Sequence, residues 1–252
     1  MVMMLMLGLV FTTTGCGQEA GNKEGGNKKL VVATEATFAP FEYVENGEFK
    51  GFDIDIIHAI AAEQGYEVEI SNLGFDSLIP ALQTNKVDCV IAGMSITPER
   101  VKAVDFTDPY FNAGLIVAVK SDNNSIKGFE DLKGKRVAAQ VGTIGADACN
   151  KLKAEDSSTV VKIFDGVPEA FMELEKGGID AVVNDMLVTR EYLEKEGQGK
   201  IKTVGEVFSE DDQYGIAVKK GNQELLDMLN EGLKKIKENG EYDKIYQKYF
   251  KN

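Results

Sequence analysis

Short apolar runs alternate with helical patterns along the first part of the chain. The pattern predicts strands at 29–34, 66–70 and 87–91, with a helix at 52–63 and a shorter one at 76–85. Strands that alternate with helices are typical of an α/β layer, and we expect a mostly parallel sheet. In such sheets, ligands bind at the carboxyl ends of the strands.

A second set of alternating strands and helices begins at residue 115 and has the size of a separate domain. The elements predicted after residue 213 are too few for a third domain. We therefore expect two lobes, the first built from 29–114 and 214–252 and the second from 115–213. Crossings between the lobes are expected near 112–117 and 211–215, and paired crossings suit hinge closure around a central cleft.

An anion site is predicted in segment 92–100, which reads Ala-Gly-Met-Ser-Ile-Thr-Pro-Glu-Arg and follows a predicted buried strand. Gly93 permits close approach of the backbone, and Ser95 offers a hydroxyl and an amide. Thr97 is predicted to cap a helix that carries Arg100 in its first turn, so amide donors and a guanidinium face one point. A carboxylate is the ligand expected at such a site. The same nine residues are also compatible with an ordinary strand-to-helix turn whose arginine is a solvated surface charge.

The 252-residue chain carries a formal net charge of -13 at pH 7 and has a pI near 4.7. This charge repels nucleic acid and anionic membrane surfaces, so neither is expected as a partner. Solubility alone favours the same charge, which therefore does not identify a ligand. Apolar residues make up 43% of the sequence, which is ample for two packed lobes.

The sequence has three cysteines and one histidine, without a CxxC pair or a Cys/His cluster. We therefore expect no metal, no cofactor and no Cys/His nucleophile. Cys89 and Cys149 fall in different predicted lobes, so no disulfide is expected between them.

Residues 1–11 form an apolar run that is too short to span a bilayer but is typical of an export signal. The small residues before Cys16 resemble a bacterial lipobox, in which the cysteine is lipidated and becomes the first residue. Thr13 stands where that motif usually has leucine, and no lysine or arginine precedes the apolar run. We expect 1–15 to be an export signal, Cys16 to anchor the exported protein to the membrane, and 16–28 to be a flexible tether.

A series of longer motifs is typical of one family. They are Phe38-Ala-Pro-Phe41, Gly51-Phe-Asp-Ile-Asp55, the 93–100 run, Asp105-Phe-Thr-Asp-Pro-Tyr110, Asp131-Leu-Lys-Gly-Lys135 and Glu238-Asn-Gly-Glu-Tyr-Asp-Lys-Ile-Tyr246. In this order they resemble the solute-binding proteins of polar amino acid ABC transporters, over 28–252. The resemblance implies a two-lobed, periplasmic-binding-protein-like (type II) α/β fold that binds a free L-amino acid and delivers it to permease subunits. We expect it to act as a monomer.

The resemblance also implies roles for individual positions. The positions that hold the ligand α-carboxylate in this family correspond to Arg100, Ser95 and the amide following Thr143. The positions that hold the α-ammonium correspond to Asp185 and the Gly93 carbonyl.

Phe38 and Phe75 match the aromatic pair that encloses the ligand side chain, and Glu35 matches an acidic position at its far end. Two departures leave the ligand open, because Glu35 replaces a shorter aspartate and Ile144 stands where relatives have threonine or glycine. The expected ligand-binding set is Glu35, Phe38, Phe75, Gly93, Met94, Ser95, Arg100, Gln140, Thr143, Ile144 and Asp185.

The charges of the expected site limit which amino acids can bind. Once a zwitterion matches Arg100 and Asp185, Glu35 is a surplus negative charge that is costly to desolvate unless a donor or cation meets it. Aspartate and glutamate are therefore disfavoured. The aromatic pair suits a planar guanidinium or amide, so arginine is expected first and glutamine second, ahead of lysine, ornithine and histidine.

The alternative is an enzyme resembling cyclohexadienyl dehydratase, which shares this fold. That chemistry needs a general acid and, for a dicarboxylate, a second cation. Glu35 or Asp185 could supply the acid, but the sequence offers no evident second cation. We therefore expect a binding protein without catalytic residues.

Overall fold

The computed structural model describes residues 28–209 and 211–250. The export signal predicted at 1–15, the lipidation site at Cys16 and the tether up to residue 27 lie outside the described residues. Within the described ranges, no helix is both long and apolar enough to cross a membrane.

The molecule is built from short strands and helices that alternate along the chain. In chain order the strands are β1 (Lys28–Thr34), β2 (Thr37–Phe38), β3 (Glu42–Glu45), β4 (Glu48–Lys50), β5 (Tyr66–Asn72), β6 (Cys89–Val90), β7 (Val104–Phe106), β8 (Phe111–Asn112), β9 (Leu115–Lys120), β10 (Arg136–Gln140), β11 (Val160–Phe164), β12 (Ala181–Asp185), β13 (Ile201–Phe208), β14 (Gln213–Tyr214) and β15 (Ala217–Lys219). The helices are α1 (Phe52–Glu63), α2 (Leu78–Gln83), α3 (Arg100–Ala103), α4 (Ile144–Glu155), α5 (Val167–Lys176), α6 (Met186–Lys195), α7 (Gln223–Glu238) and α8 (Glu241–Phe250), with 3₁₀ turns at Phe75–Ser77 and Phe129–Leu132.

Two five-stranded sheets form the two lobes. The first has the strand order β5-β1-β6-β15-β7 and the second has the order β11-β10-β12-β9-β13. In the first sheet β5, β1 and β6 are parallel, as are β11, β10 and β12 in the second. This is the two-lobed α/β fold expected from the sequence.

Each sheet is mostly parallel, as expected, because four of its five strands run in one direction and one strand runs antiparallel to both of its neighbours. The reversed strands are β15 in the first sheet and β9 in the second. Each of them directly follows a crossing between the lobes. A chain that leaves a sheet and returns beside its point of departure runs in the opposite direction, whereas the helical crossovers join parallel strands.

The crossings between the lobes form a two-stranded ladder. Strand β8 leads from the first lobe to the second and β14 leads back, with Asn112 opposite Gln213 and Phe111 opposite Tyr214. Ser95 forms an isolated bridge with Tyr214, which joins the predicted anion segment to this hinge. The two hinge crossovers therefore lie side by side at one edge of the cleft.

Aromatic side chains fix the hinge strands to the first lobe. The ring centroid of Phe41 lies 4.9 Å from that of Phe111 and 5.4 Å from those of Tyr214 and Phe250. Aromatic pairs at such separations add to the stabilisation that burial provides. The C-terminal helix thus packs behind the hinge.

Helix α7 explains why the chain returns to its first lobe. Its apolar residues Leu229, Leu233 and Ile236 are buried in the same core cluster as α1. A Cβ on Gly232 would lie 2.7 Å from Ile60 of α1, so the two helices are in close contact. These apolar residues, spaced three to four positions apart, therefore form the contact face of α7 with α1.

Two short elements differ from the sequence prediction. The helix expected from Thr97 is only the four-residue helix α3, which begins at Arg100. The backbone becomes extended at Val104 because that residue pairs with Lys219 of β15. Residues 214–218 form an apolar run that is typical of one strand, but the structure divides this run between β14 of the hinge ladder and β15 of the first sheet.

Strand β13 was not predicted. It mixes Ile201 and Val204 with charged residues and Gly205, so its apolar alternation is weak. It lies at the edge of the second sheet, where one side of the strand has no partner strand among the described residues. Edge strands tolerate polar residues because one side faces solvent.

Substitution Leu233→Ala should lower the free energy of unfolding by about 3 kcal/mol, because it removes buried methyl groups from the contact between α7 and α1. The matched control Lys234→Ala, on the exposed side of the same helix, should change it by less than about 0.5 kcal/mol. Urea unfolding of the three proteins measures both effects. Equal losses in the two variants would contradict this packing of α7.

Candidate functional site

A cavity between the two lobes brings together most of the predicted ligand-binding residues. It lies next to the hinge ladder and is walled by both sheets. Its lining residues are Phe38, Phe75, Ala92, Gly93, Ser95, Arg100, Leu115, Gln140, Thr143, Ile144, Gly145, Asn184, Asp185, Asp212 and Tyr214.

Arg100 supplies the positive charge of the cavity. Its Nη1 donates to the Ser95 carbonyl at 2.7 Å, and its Nη2 donates to the Gly142 carbonyl of the second lobe at 2.9 Å. The guanidinium also lies over the Phe75 ring, 5.3 Å from the centroid. Burial lowers the pKa of Arg100, which remains a cation because the ordinary value of a guanidinium is far above neutral.

The first turn of α3 places this guanidinium. The Thr97 hydroxyl accepts a hydrogen bond from the Arg100 amide at 3.2 Å, but the N-cap position of α3 is Glu99 and not Thr97 as predicted. A four-residue helix has almost no dipole, however, so the positive potential comes from the guanidinium itself.

Asp185 lies on the second lobe, where β12 ends and α6 begins. Its Oδ1 caps the helix by accepting from the amides of Leu187 and Val188 at 2.8 and 3.0 Å. Its Oδ2 accepts from the Tyr214 hydroxyl of the hinge at 2.8 Å. Burial raises the pKa of Asp185 to about 6, even though these three donors stabilise the carboxylate.

Glu35 lies one hydrogen bond away from the cavity and is not among its lining residues. Its Oε1 accepts from the Thr37 hydroxyl at 2.6 Å, and its Oε2 accepts from Gln140 Nε2 at 3.2 Å. Gln140 also donates to the Asp165 carbonyl at 3.0 Å and lines the cavity. Burial raises the pKa of Glu35, so this carboxyl is poorly solvated.

Phe38 and Phe75 are both buried and form aromatic walls of the cavity. Gly93 lies against Phe38, with a backbone φ of +49°. A Cβ at this position would stand 3.0 Å from the Phe38 ring and 3.3 Å from the Tyr214 ring. Only glycine therefore fits between the two rings in this conformation.

The N-terminus of α4 lines the cavity from the second lobe. The Thr143 hydroxyl accepts from the Ala146 amide at 3.2 Å and donates to the Gln140 carbonyl at 2.8 Å. Ile144 and Gly145 follow at the cavity wall. Unlike α3, α4 has twelve residues, so its first amides and its dipole offer a binding site for an anion.

Met94 does not line the cavity. Its side chain is 1% exposed and packs in the core of the first lobe with Leu78 and Val90. Its neighbours Gly93 and Ser95 line the cavity, whereas the apolar Met94 side chain is buried in this core. Its carbonyl accepts from the Gly215 amide at 3.1 Å, so it contributes to the hinge instead.

Six cavity residues are absent from the expected ligand-binding set: Ala92, Leu115, Gly145, Asn184, Asp212 and Tyr214. Two of them, Asp212 and Tyr214, belong to the return crossing, which was recognised as a hinge but not as part of the cavity wall. Asp212 is 9% exposed, and burial raises its pKa although Ser95 and Arg100 lower it. Its acidic character in a predicted hinge was the available signal.

The described residues contain no cluster that could bind a metal ion and no activated thiol. No group of three or more His, Cys, Asp or Glu side chains in 28–209 and 211–250 could hold a metal ion. Cys89 and Cys149 are buried free thiols, one on β6 of the first lobe and one on α4 of the second. Burial raises the pKa of both thiols, so neither is activated as a nucleophile.

The family model for bacterial extracellular solute-binding proteins, family 3, matches residues 30–252. This chain belongs to that family. The solute-binding protein is 34% identical over 248 residues to the arginine-binding extracellular protein ArtP of Bacillus subtilis (strain 168), with 96% of this chain and 94% of the relative covered. The family resemblance inferred from the motifs is thereby confirmed.

Solved structures agree in fold with this solute-binding protein. An ancestral arginine-binding protein, solved with arginine and with glutamine, is 50% identical at TM-scores of 0.85 and 0.84, covering 88% and 89% of this chain and 98% of that chain. The ancestral amino acid-binding protein AncCDT-1, a precursor of cyclohexadienyl dehydratase, is 41% identical at a TM-score of 0.80, covering 88% of this chain and 96% of that chain.

In this solute-binding protein, Tyr214→Phe should raise the pKa of Asp185 above about 6. The substitution removes the hydroxyl that donates to Asp185 Oδ2, and a hydrogen bond to a charged group contributes about 1.5 kcal/mol, or roughly one pH unit. A carboxyl NMR titration measures the change. Tyr246→Phe, at an exposed tyrosine, should leave the titration as in wild type, and an unchanged midpoint in Tyr214→Phe would contradict the contact.

Proposed function

We propose that this protein captures a free polar or basic L-amino acid, arginine first and glutamine second, and delivers it to the permease of an ABC importer. One observation carries the proposal. Arg100 from the first lobe and Asp185 from the second line the same cavity. An amino acid zwitterion complements both charges, because its carboxylate meets the guanidinium and its ammonium meets the carboxylate.

Neighbouring groups complete the proposed recognition of the zwitterion. Ser95 and the amide following Thr143 assist Arg100 with the α-carboxylate, and the Gly93 carbonyl assists Asp185 with the α-ammonium. All of these residues line the cavity. Because the two charges belong to different lobes, the ligand favours the closed arrangement over an open one.

The side-chain end of the ligand is proposed to lie between Phe38 and Phe75 and to reach Gln140, behind which Glu35 is buried. Asp212 adds a further acid to the cavity. This excess of acids over the one arginine disfavours aspartate and glutamate. A guanidinium stacks between aromatic rings and its charge is attracted by the acids, which favours arginine. An amide is also planar and can stack in the same place, but it carries no charge, so glutamine comes second.

The cellular setting is proposed from the leader sequence and the family. Export through the signal at 1–15 and lipidation of Cys16 would keep a monomeric binding protein at the membrane that holds its permease. The relative ArtP of Bacillus subtilis is named as an extracellular protein, which supports this location.

A dehydratase is the second candidate, favoured by the likeness to AncCDT-1. Glu35 and Asp185 are acids at or beside the cavity. Among the described residues that line it, however, Arg100 is the one lysine or arginine, so a dicarboxylate substrate would lack its second cation. We propose a binding protein without turnover. Product formation from prephenate or arogenate would overturn this choice.

A thermal-shift screen of the exported protein against the amino acids tests the proposed ligand. Arginine or glutamine should raise Tm by about 5 °C at a hundredfold excess over Kd, and aspartate and glutamate should not. Arg100→Ala should lose the shift with every amino acid, whereas Arg190→Ala, at an exposed position of α6, should retain it. A preference for the acidic amino acids would refute the charge argument.

Substitution Glu35→Gln should change which amino acid is preferred. Arginine should bind about tenfold more weakly, because the charge of Glu35 behind Gln140 attracts a ligand cation by on the order of 1.5 kcal/mol even without direct contact, while the uncharged side chain of glutamine should bind as before. Calorimetry with both ligands gives the ratio of affinities. Glu48→Gln, at an exposed position of β4, is the matched control, and equal losses for both ligands would contradict a role at the side-chain end.

A further inference from the structure

A buried aspartate supports the cavity wall from behind. Asp53 on α1 is 0% exposed, and its Oδ2 accepts from the Gly93 amide at 2.8 Å and from the Tyr110 hydroxyl at 2.7 Å. Gly93 is part of the cavity wall, and Tyr110 directly precedes hinge strand β8. Asp53 therefore connects α1 to the turn at Gly93, which we call the cleft turn, and to the residue that begins the crossing into the second lobe.

A second carboxyl group lies against Asp53. Glu42 on β3 is 1% exposed, and its carboxyl group lies close enough to that of Asp53 for the two to share a hydrogen bond. Taken as carboxylates, both Glu42 oxygens and Asp53 Oδ1 have no donor. Two carboxylates cannot form that hydrogen bond, because neither carries a proton to donate.

The surroundings of the pair are acidic or neutral. The charges that act on Glu42 are those of Asp53, Glu35 and Asp185, all negative. The other titratable groups facing the pair are the phenols Tyr110, Tyr214 and Tyr242. Neither carboxyl forms an ion pair within 28–209 and 211–250.

Two adjacent buried negative charges without a cation are too costly to persist. Burial and the charge of Asp53 raise the pKa of Glu42 well above its ordinary 4.5. Burial also raises the pKa of Asp53 to about 7, although Tyr110 and Gly93 donate to it. Both carboxyls therefore titrate far from their ordinary range, and a retained proton supplies the missing donor.

We propose that Glu42 retains a proton at neutral pH and donates it to Asp53 Oδ1, and that this carboxyl pair positions Gly93 for ligand binding. With Oδ1 occupied by Glu42, Asp53 keeps Oδ2 for the Gly93 amide and the Tyr110 hydroxyl. The Gly93 carbonyl, to which we assign the ligand ammonium, belongs to the same turn. Glu42 and Asp53 are positioning residues, since neither lines the cavity.

The proton has a measurable consequence. Glu42 ionises near its ordinary value in the unfolded chain but stays protonated in the folded protein, so folding takes up a proton in between. The folding equilibrium constant therefore falls about tenfold for each unit that pH rises above the unfolded value, until the folded pKa is passed. Stability from this group is complete at low pH and is lost as pH rises.

Substitution Glu42→Gln tests the proton without a ligand. The new amide can donate to Asp53 Oδ1 but cannot ionise, so the ratio of folding constants, variant over wild type, should grow about tenfold per unit from pH 5.5 to 7.5. Urea unfolding at several pH values measures it. Glu45→Gln, on the exposed end of the same strand, should give a constant ratio. A constant ratio for Glu42→Gln as well would overturn the proposal.

The positioning role is tested at Gly93 and at the ligand. In wild type the Gly93 amide resonance should move as pH passes about 7, where Asp53 titrates, and Asp53→Asn should abolish this movement. Asp53→Asn keeps an oxygen for the Gly93 amide, whereas Asp53→Ala leaves that amide buried without an acceptor. Asp53→Ala should therefore bind arginine at least about tenfold more weakly than Asp53→Asn.

Equal arginine binding by the two Asp53 variants, or a Gly93 resonance in wild type that does not respond to pH, would overturn the positioning role. If Asp53→Ala does not fold, the Gly93 titration decides. The affinity comparison rests on the proposed function, but the unfolding and NMR measurements use no ligand. A wild type that binds no amino acid would thus refute the proposed function and leave the proton test intact.

Discussion

This solute-binding protein depends on one physical constraint. It buries two opposite charges, one from each lobe, in the same gap. Arg100 and Asp185 each lose solvation in the cleft, and each is kept there by local donors or acceptors rather than by the other. Desolvated charges of this kind are costly alone and favourable once complemented. The molecule is thus built to be completed by a ligand that carries both charges, which is the basis of the proposed amino acid binding.

Residues of the hinge also take part in the cavity that holds these two charges. Strands β8 and β14 are short, pair with each other and carry residues that serve both purposes. Tyr214 belongs to the ladder, lines the cavity and donates to Asp185. Gly142 of the second lobe accepts from Arg100 of the first. In the proposed closure around a ligand, recognition would therefore use contacts that also belong to the hinge.

Behind the cavity, the first lobe holds its binding turn with buried polar groups instead of apolar packing alone. Asp53 accepts from Gly93 and Tyr110, and the adjacent Glu42 adds a second carboxyl without a cation. Buried polar groups rigidify a structure when every partner is satisfied. In the proposed pair, one proton gives Asp53 Oδ1 the donor that it otherwise lacks. The position of the cleft turn would then depend on residues distant in sequence that never touch the ligand.

The sequence by itself determined most of the fold and much of the site, because local physics carries that information. Apolar periodicity and turn residues located most elements, as in α1, and the motif around Arg100, together with the family resemblance at Asp185, pointed to a bound zwitterion. Signals that depend on neighbours were missed: the polar edge strand β13, the antiparallel strands beside the crossings, and the placement of Met94 in the core. Only the tertiary structure decided that Asp212 and Tyr214 line the cavity, and that Glu42 and Asp53 lie together. Such contacts join residues distant in sequence, so their burial and pairing arise only when the sheets and the hinge are assembled.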